Sequence, residues 1–122
     1  MSSQGDGFNI APISIENVES FHQCLDSVAR ERRFLGLVKA PPLEKTREFV
    51  FSNIRNKVPQ FIALDGDRVV GWCDLEPNKR EGFTHCGTLG MGILTGYRRR
   101  GIGTKLMEST IVAAKKLGIE RI

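Results

Sequence analysis

No apolar run in this chain of 122 residues comes near the roughly 20 needed to cross a bilayer, so no membrane span is expected. Cysteine is scarce. Cys24, Cys73 and Cys86 are odd in number, widely spaced and without a Cys-x-x-Cys pair. Neither a disulfide framework nor a zinc site is expected from them, no other metal site is proposed, and a reducing cytoplasm is the expected compartment. Met1–Gly7 is small and polar, with no basic-then-apolar run, which argues against a secretory leader and reads as a flexible tail. Internal repeats, low-complexity tracts and linkers are absent too. The length therefore predicts one domain at most, residues 8–122, since domains typically run to about 100–150 residues.

What is present is an ordinary globular balance, 40% hydrophobic and 26% charged, with a net charge of +4 that suits both a polyanionic ligand and a solvated surface. Position says more than the total. Arg98, Arg99, Arg100 and Lys105 crowd into eight positions with no acid among them. Along the chain, Phe8–Pro12 reads as a short strand, and Ser14 or Asn17 as the cap of a helix to about Arg30 whose Val18, Phe21, Leu25 and Val28 share a face. Pro42 suits the first turn of a second helix to about Asn56, with Leu43, Phe49, Val50 and Ile54 as its buried side. Gln60–Leu64 and Arg68–Leu75 flank Asp65-Gly66 as a hairpin, Pro77–Phe83 reads as a loop, His85–Leu94 as a strand and Arg100–Leu117 as a helix stopped by Gly118. Ile119–Ile122 resembles a strand just beginning, which predicts that the polypeptide is a fragment. An open sheet edge there would invite pairing with a second copy, so a homodimer through that edge is the expected association.

In Thr88–Leu94 the strand alternation sends Leu89, Met91 and Ile93 to one face and Gly90 and Gly92 to the other. Glycine in a strand signals a bulge, a close-packed helix, or a ligand lying flat on the backbone. The segment Gly96-Tyr97-Arg98-Arg99-Arg100-Gly101-Ile102-Gly103-Thr104 then hands this strand to a helix. The first turn of a helix carries N–H groups without internal partners and a positive dipole end. Glycines at 101 and 103 leave those groups bare, and three arginines add charge, so a pyrophosphate is the ligand that fits. The order Gly103-Thr104-Lys105 is not the Gly-Lys-Ser/Thr of a nucleotide P-loop, and the third glycine of a dinucleotide fingerprint is missing.

Arg98-x-x-Gly101-x-Gly103, within Leu94–Leu106, resembles the acyl-CoA-binding motif of the GNAT superfamily of N-acetyltransferases. The order of elements resembles that family over nearly the whole chain, and Val70-Gly71-Trp72 is a hairpin word common in it. The resemblance implies an α/β fold, a mixed and mostly antiparallel sheet flanked by helices, here incomplete at the C-terminus. It also implies acetyl-CoA as co-substrate and a small-molecule or peptide primary amine as acceptor, attacked directly in a ternary complex. By the same resemblance the backbone of Ile93, Leu94 and Thr95 would pair with the pantetheine arm. Groups of Arg98, Arg99, Arg100, Gly101, Ile102, Gly103 and Thr104 would hold the pyrophosphate, and an N–H near Ile93 or Leu94 would polarise the thioester carbonyl.

The chain departs from the family pattern in two places. The region that usually supplies an Asn to the cofactor and a Tyr to the leaving thiolate would lie beyond Ile122, and Thr88–Leu94 holds no acid to serve as base. His85 is the candidate base by residue type, against the plain alternative of a histidine bonded to backbone. Asp74, Glu76 and Glu81 read as solvated loop acids, Cys86 as a small buried thiol, Trp72 as core, and Glu31-Arg32-Arg33 as a solvated helix end or part of an acceptor pocket. Two other functions stand beside catalysis: a module that binds CoA without turnover, and a nucleic-acid binder using Arg98–Arg100. The second is disfavoured because the arginines abut bare glycines and lack interleaved aromatics beyond Tyr97.

Overall fold

A computed structural model of the chain describes residues 8–31, 41–77, 87–98 and 100–116. Four strands, β1 (Asn9–Pro12), β2 (Gln60–Asp65), β3 (Arg68–Pro77) and β4 (Gly87–Ile93), form one antiparallel sheet in sequential order. Three α-helices accompany it: α1 (Val18–Arg30), α2 (Leu43–Arg55) and α3 (Ile102–Lys116). The predicted mixed α/β class holds, and so does the element order over the described residues. The predicted stretches Pro77–Phe83 and Ile119–Ile122, apart from Pro77 itself, lie outside the described residues.

Local chemistry accounts for most boundaries. Ahead of α1, the Asn17 side-chain oxygen accepts from the Ser14 backbone N–H at 2.9 Å and from the Ser14 hydroxyl at 2.8 Å. Both candidate caps thus act together, and a single 3-10 turn, Ile15–Asn17, intervenes before the helix proper. Gly66, at φ +64°, makes the β2–β3 turn. In α2 the buried side is Thr46, Val50 and Asn53, while Ile54 is 41% exposed, against expectation. The reason is polar: Asn53 Nδ2 donates to Gln60 Oε1 at 2.8 Å, and that buried pair turns the helix so that Ile54 faces outward.

The sheet is covered on both sides. Trp72 packs edge-on against Phe21 of α1, ring centroids 5.6 Å apart at 79°. A Cβ on its neighbour Gly71 would meet Leu106 of α3 at 3.4 Å. Consecutive strand residues face opposite ways, so α1 lies on one face and α3 on the other. Trp72 is core, as predicted, at 3% exposure.

Candidate functional site

The site begins at the outer edge of β4. Trp72 pairs with Gly92 and Asp74 with Gly90, and the Leu94 N–H donates to Val70 O at 2.9 Å. In an antiparallel ladder the bonding residues alternate. The N–H and C=O groups of Met91 and Ile93 therefore point away from β3. Beside them lies a cavity of about 180 Å³ lined by Val28, Met91, Gly92, Ile93 and Arg98.

The chain then turns. Thr95–Tyr97 is one 3-10 turn, closed by the Tyr97 N–H on Leu94 O at 2.9 Å. Gly101 adopts φ +81°, a left-handed conformation costly to residues with a Cβ, and a Cβ there would meet nothing within 4 Å. The Lys105 N–H donates to Gly101 O, so the helical bonds start there and the N–H groups of Ile102, Gly103 and Thr104 precede the first intrahelical partner. Gly103 has a packing reason beside the expected one. A Cβ on it would lie 3.2 Å from Ile93 Cδ1, so its bareness lets α3 press against β4.

The arginine cluster is divided. Arg98 turns inward: its Nε donates to Ile93 O at 2.9 Å, and Nη1 and Nη2 donate to the two oxygens of Glu31 at 2.9 and 2.6 Å. Those Glu31 bonds push the Arg98 pKa above its usual value. The Thr95 hydroxyl donates to Glu31 Oε2 at 3.2 Å. Arg100 lies over the Tyr97 ring, 5.1 Å from its centroid, and the Tyr97 hydroxyl donates to Asp65 Oδ2 at 2.5 Å. That bond raises the Tyr97 pKa.

Several expectations change. Leu94 and Thr95 do not extend the strand edge, because the Leu94 N–H is held by Val70 and the Thr95 carbonyl accepts from the Arg98 N–H at 3.4 Å. Met91, two residues before Ile93, offers the edge instead, and strand alternation was the signal for it. The glycine face of β4 is filled from within the protein. A Cβ on Gly92 would lie 2.4 Å from Trp72 Cη2, and one on Gly90 would lie 3.1 Å from Asp74 Oδ1. Asp74 is no loop acid: it sits in β3 at 8% exposure, on the α1 face. Glu31 is no free helix end, and nothing in the sequence links it to Arg98, 67 positions away. His85, Cys86 and Arg99 lie outside the described residues. His22 Nε2 contacts Pro41 O at 2.8 Å, away from this region. Cys24 and Cys73 are buried, and that burial pushes the Cys24 thiol up to about 12 and raises that of Cys73, which disfavours their thiolates.

Among the described residues no cluster of metal-binding side chains occurs, and no helix is long and apolar enough to cross a membrane. The fold is that of known acetyltransferases. The acetyltransferase of GNAT family from Streptococcus pneumoniae superposes with a TM-score of 0.82 at 21% identity, over 92% of this chain and 69% of that one. Ribosomal-protein-alanine N-acetyltransferase from Brucella melitensis gives 0.83 at 20% identity, over 91% and 69%. A phosphinothricin acetyltransferase from Sinorhizobium meliloti, solved in complex with acetyl-CoA, gives 0.84 at 15% identity, over 93% and 62%. Comparison with curated proteins gives no significant match. The model of the acetyltransferase (GNAT) family matches residues 21–122. The chain belongs to that N-acetyltransferase family, whose co-substrate is acetyl-CoA.

Proposed function

We propose that residues 8–122 form one acyl-CoA-binding unit that transfers acetyl from acetyl-CoA to the primary amine of a small molecule or peptide. One observation carries this reading: the outward backbone edge of Met91 and Ile93 leads, through the Gly101 turn, to the N-terminus of α3. The pantetheine arm lies along that edge as an added strand, and the pyrophosphate sits on the N–H groups of Ile102, Gly103 and Thr104. An outward N–H of Met91 or Ile93 donates to the thioester oxygen as charge develops there, a contact worth roughly 2.7–4 kcal/mol in acyl transfer. The amine nitrogen attacks the carbonyl carbon, the C–S bond breaks, and no covalent enzyme intermediate forms. Among the described residues, Arg98 is paired inward with Glu31 and Arg100 lies over Tyr97, so these two arginines do not share one face, which favours this reading over nucleic-acid binding. A homodimer through the β4 edge would compete with the arm for the same groups.

Thr104→Glu tests the phosphate site. Thr104 is exposed in the first turn of α3, where a carboxylate favours the helix but repels a phosphate. Calorimetry should find CoA affinity at least tenfold weaker with thermal stability unchanged or raised; unaltered affinity would move the cofactor elsewhere.

The base that takes the ammonium proton is His85 in this proposal, and Asp74, buried over Gly90, is its rival. General bases contribute about 10²–10⁴-fold. His85→Gln should therefore lower kcat by that order with acetyl-CoA binding intact. The same loss in Asp74→Asn, with His85→Gln unimpaired, would transfer the role.

A further inference from the structure

Glu31 stands at the C-terminal end of α1, and its carboxylate joins two elements far apart in sequence. It receives Arg98 Nη1 at 2.9 Å, Arg98 Nη2 at 2.6 Å and the Thr95 hydroxyl at 3.2 Å. A guanidinium is a rigid fork, so fixing two of its nitrogens fixes the third. Here the third is Nε, which donates to Ile93 O at 2.9 Å. The Ile93 carbonyl belongs to the outward edge of β4, at the point where the strand gives way to the turn. One carboxylate thus holds the last edge residue, the first residue of the 3-10 turn and the leading arginine of the Arg-x-x-Gly-x-Gly motif. Side chains of Arg98 and Glu31 are only 28% and 24% exposed, so the clasp is shielded from full competition by water.

We infer that Glu31 is a positioning residue for the cofactor site: through Arg98 it sets the geometry between the β4 edge and the α3 N-terminus. This rests on the proposed function, because the ligand whose affinity reports it is CoA. Charge alone predicts the opposite effect. Glu31 neutralises Arg98 close to the proposed pyrophosphate, so removing the carboxylate leaves an additional positive charge beside a polyanion, and simple attraction would tighten binding. The proposed pyrophosphate lies at the solvent-exposed start of α3, however, where one further charge is worth about fivefold or less, whereas a loosened turn misaligns several N–H donors together. Geometry should win.

Calorimetry with CoA on the whole chain at physiological salt provides the test, with the amide spectrum of Met91 and Ile93 recorded alongside. Glu31→Gln should weaken CoA binding by tenfold or more despite the gain in positive charge. Arg98→Lys, which keeps the charge but not the fork, should do the same, and Glu31→Asp should recover part of the loss. The double variant Glu31→Gln/Arg98→Lys should bind no worse than the weaker single one, since both break one linkage. The CoA-induced shifts of the Met91 and Ile93 amides should shrink in each weakened variant. A wild-type chain that ignores CoA would defeat the proposed function itself. Wild-type binding with equal or tighter affinity in a folded Glu31→Gln protein would overturn the positioning role alone. Should Glu31→Gln fail to fold, unchanged affinity in Arg98→Lys and Glu31→Asp together would overturn it as well.

Discussion

At Gly92 the sequence leaves three readings open, a bulge, a close-packed helix or a ligand against the backbone, and what lies there is instead the Trp72 ring of the neighbouring strand. A Cβ there would fall 2.4, 2.7 and 2.9 Å from three carbons of the indole. The ring cannot easily retreat, because Phe21 of α1 abuts it. Gly92→Ala should therefore lower unfolding stability by about 1–3 kcal/mol, the usual range for overpacking. Gly96→Ala is the matched control: a Cβ at 96 meets nothing within 4 Å and its φ is not positive, so its stability should stay the same or rise slightly. Urea unfolding of both variants decides the matter, and equal stabilities would mean that Trp72 is free to shift. The residue scale is where sequence reading was weakest. Glycine advertises an approach without naming the visitor, and a carboxylate such as Glu31 carries no mark of the arginine it will meet 67 positions later.

At the scale of elements the sequence was far more legible, because strand and helix periods are local properties. Among the described residues the three helices and four strands fall close to where alternation, proline and glycine put them, with Pro77 in β3 rather than the expected loop, and the departures at Ile54, Leu94 and Thr95 have polar causes. Ile54 lost its buried place to the Asn53–Gln60 amide pair. Leu94 and Thr95 left the strand edge because the ladder ends with the Leu94 N–H on Val70 and the 3-10 turn takes over. Hydrophobicity cannot foresee such exchanges. The alternation that survives in β4 makes a testable contrast. Amides of Gly92 and Leu94 are bonded to β3, whereas those of Met91 and Ile93 face outward. In the free protein the second pair should exchange with solvent at least tenfold faster than the first, and saturating CoA should slow that pair selectively. Four equally protected amides before any ligand is added would mean that the edge is already covered, and the pantetheine reading would fall.

For the molecule as a whole, the proposed cofactor touches two separate anchoring devices, a strand edge held from α1 by Glu31 and a helix terminus held against β4 by the Gly103–Ile93 contact. The two devices should act together on stability. A ligand that binds only the folded state stabilises it by RT ln(1 + [L]/Kd), about 2.7 kcal/mol at a hundredfold excess over Kd. CoA should therefore raise the melting temperature steadily with concentration. Pantetheine carries the arm alone and inorganic pyrophosphate the anion alone, so each should stabilise weakly. Joined in one molecule, the second contact forms at high effective concentration, and CoA should bind more tightly than either fragment by several orders of magnitude. Added salt should weaken pyrophosphate strongly, since exposed charges are screened over about 8 Å at physiological strength, and pantetheine hardly at all. Thermal unfolding with the three ligands at two salt concentrations separates the contributions. If pyrophosphate alone matched CoA, the β4 edge would add nothing to binding. If pantetheine alone matched it, the glycine turn and the helix terminus would have no part in holding the cofactor.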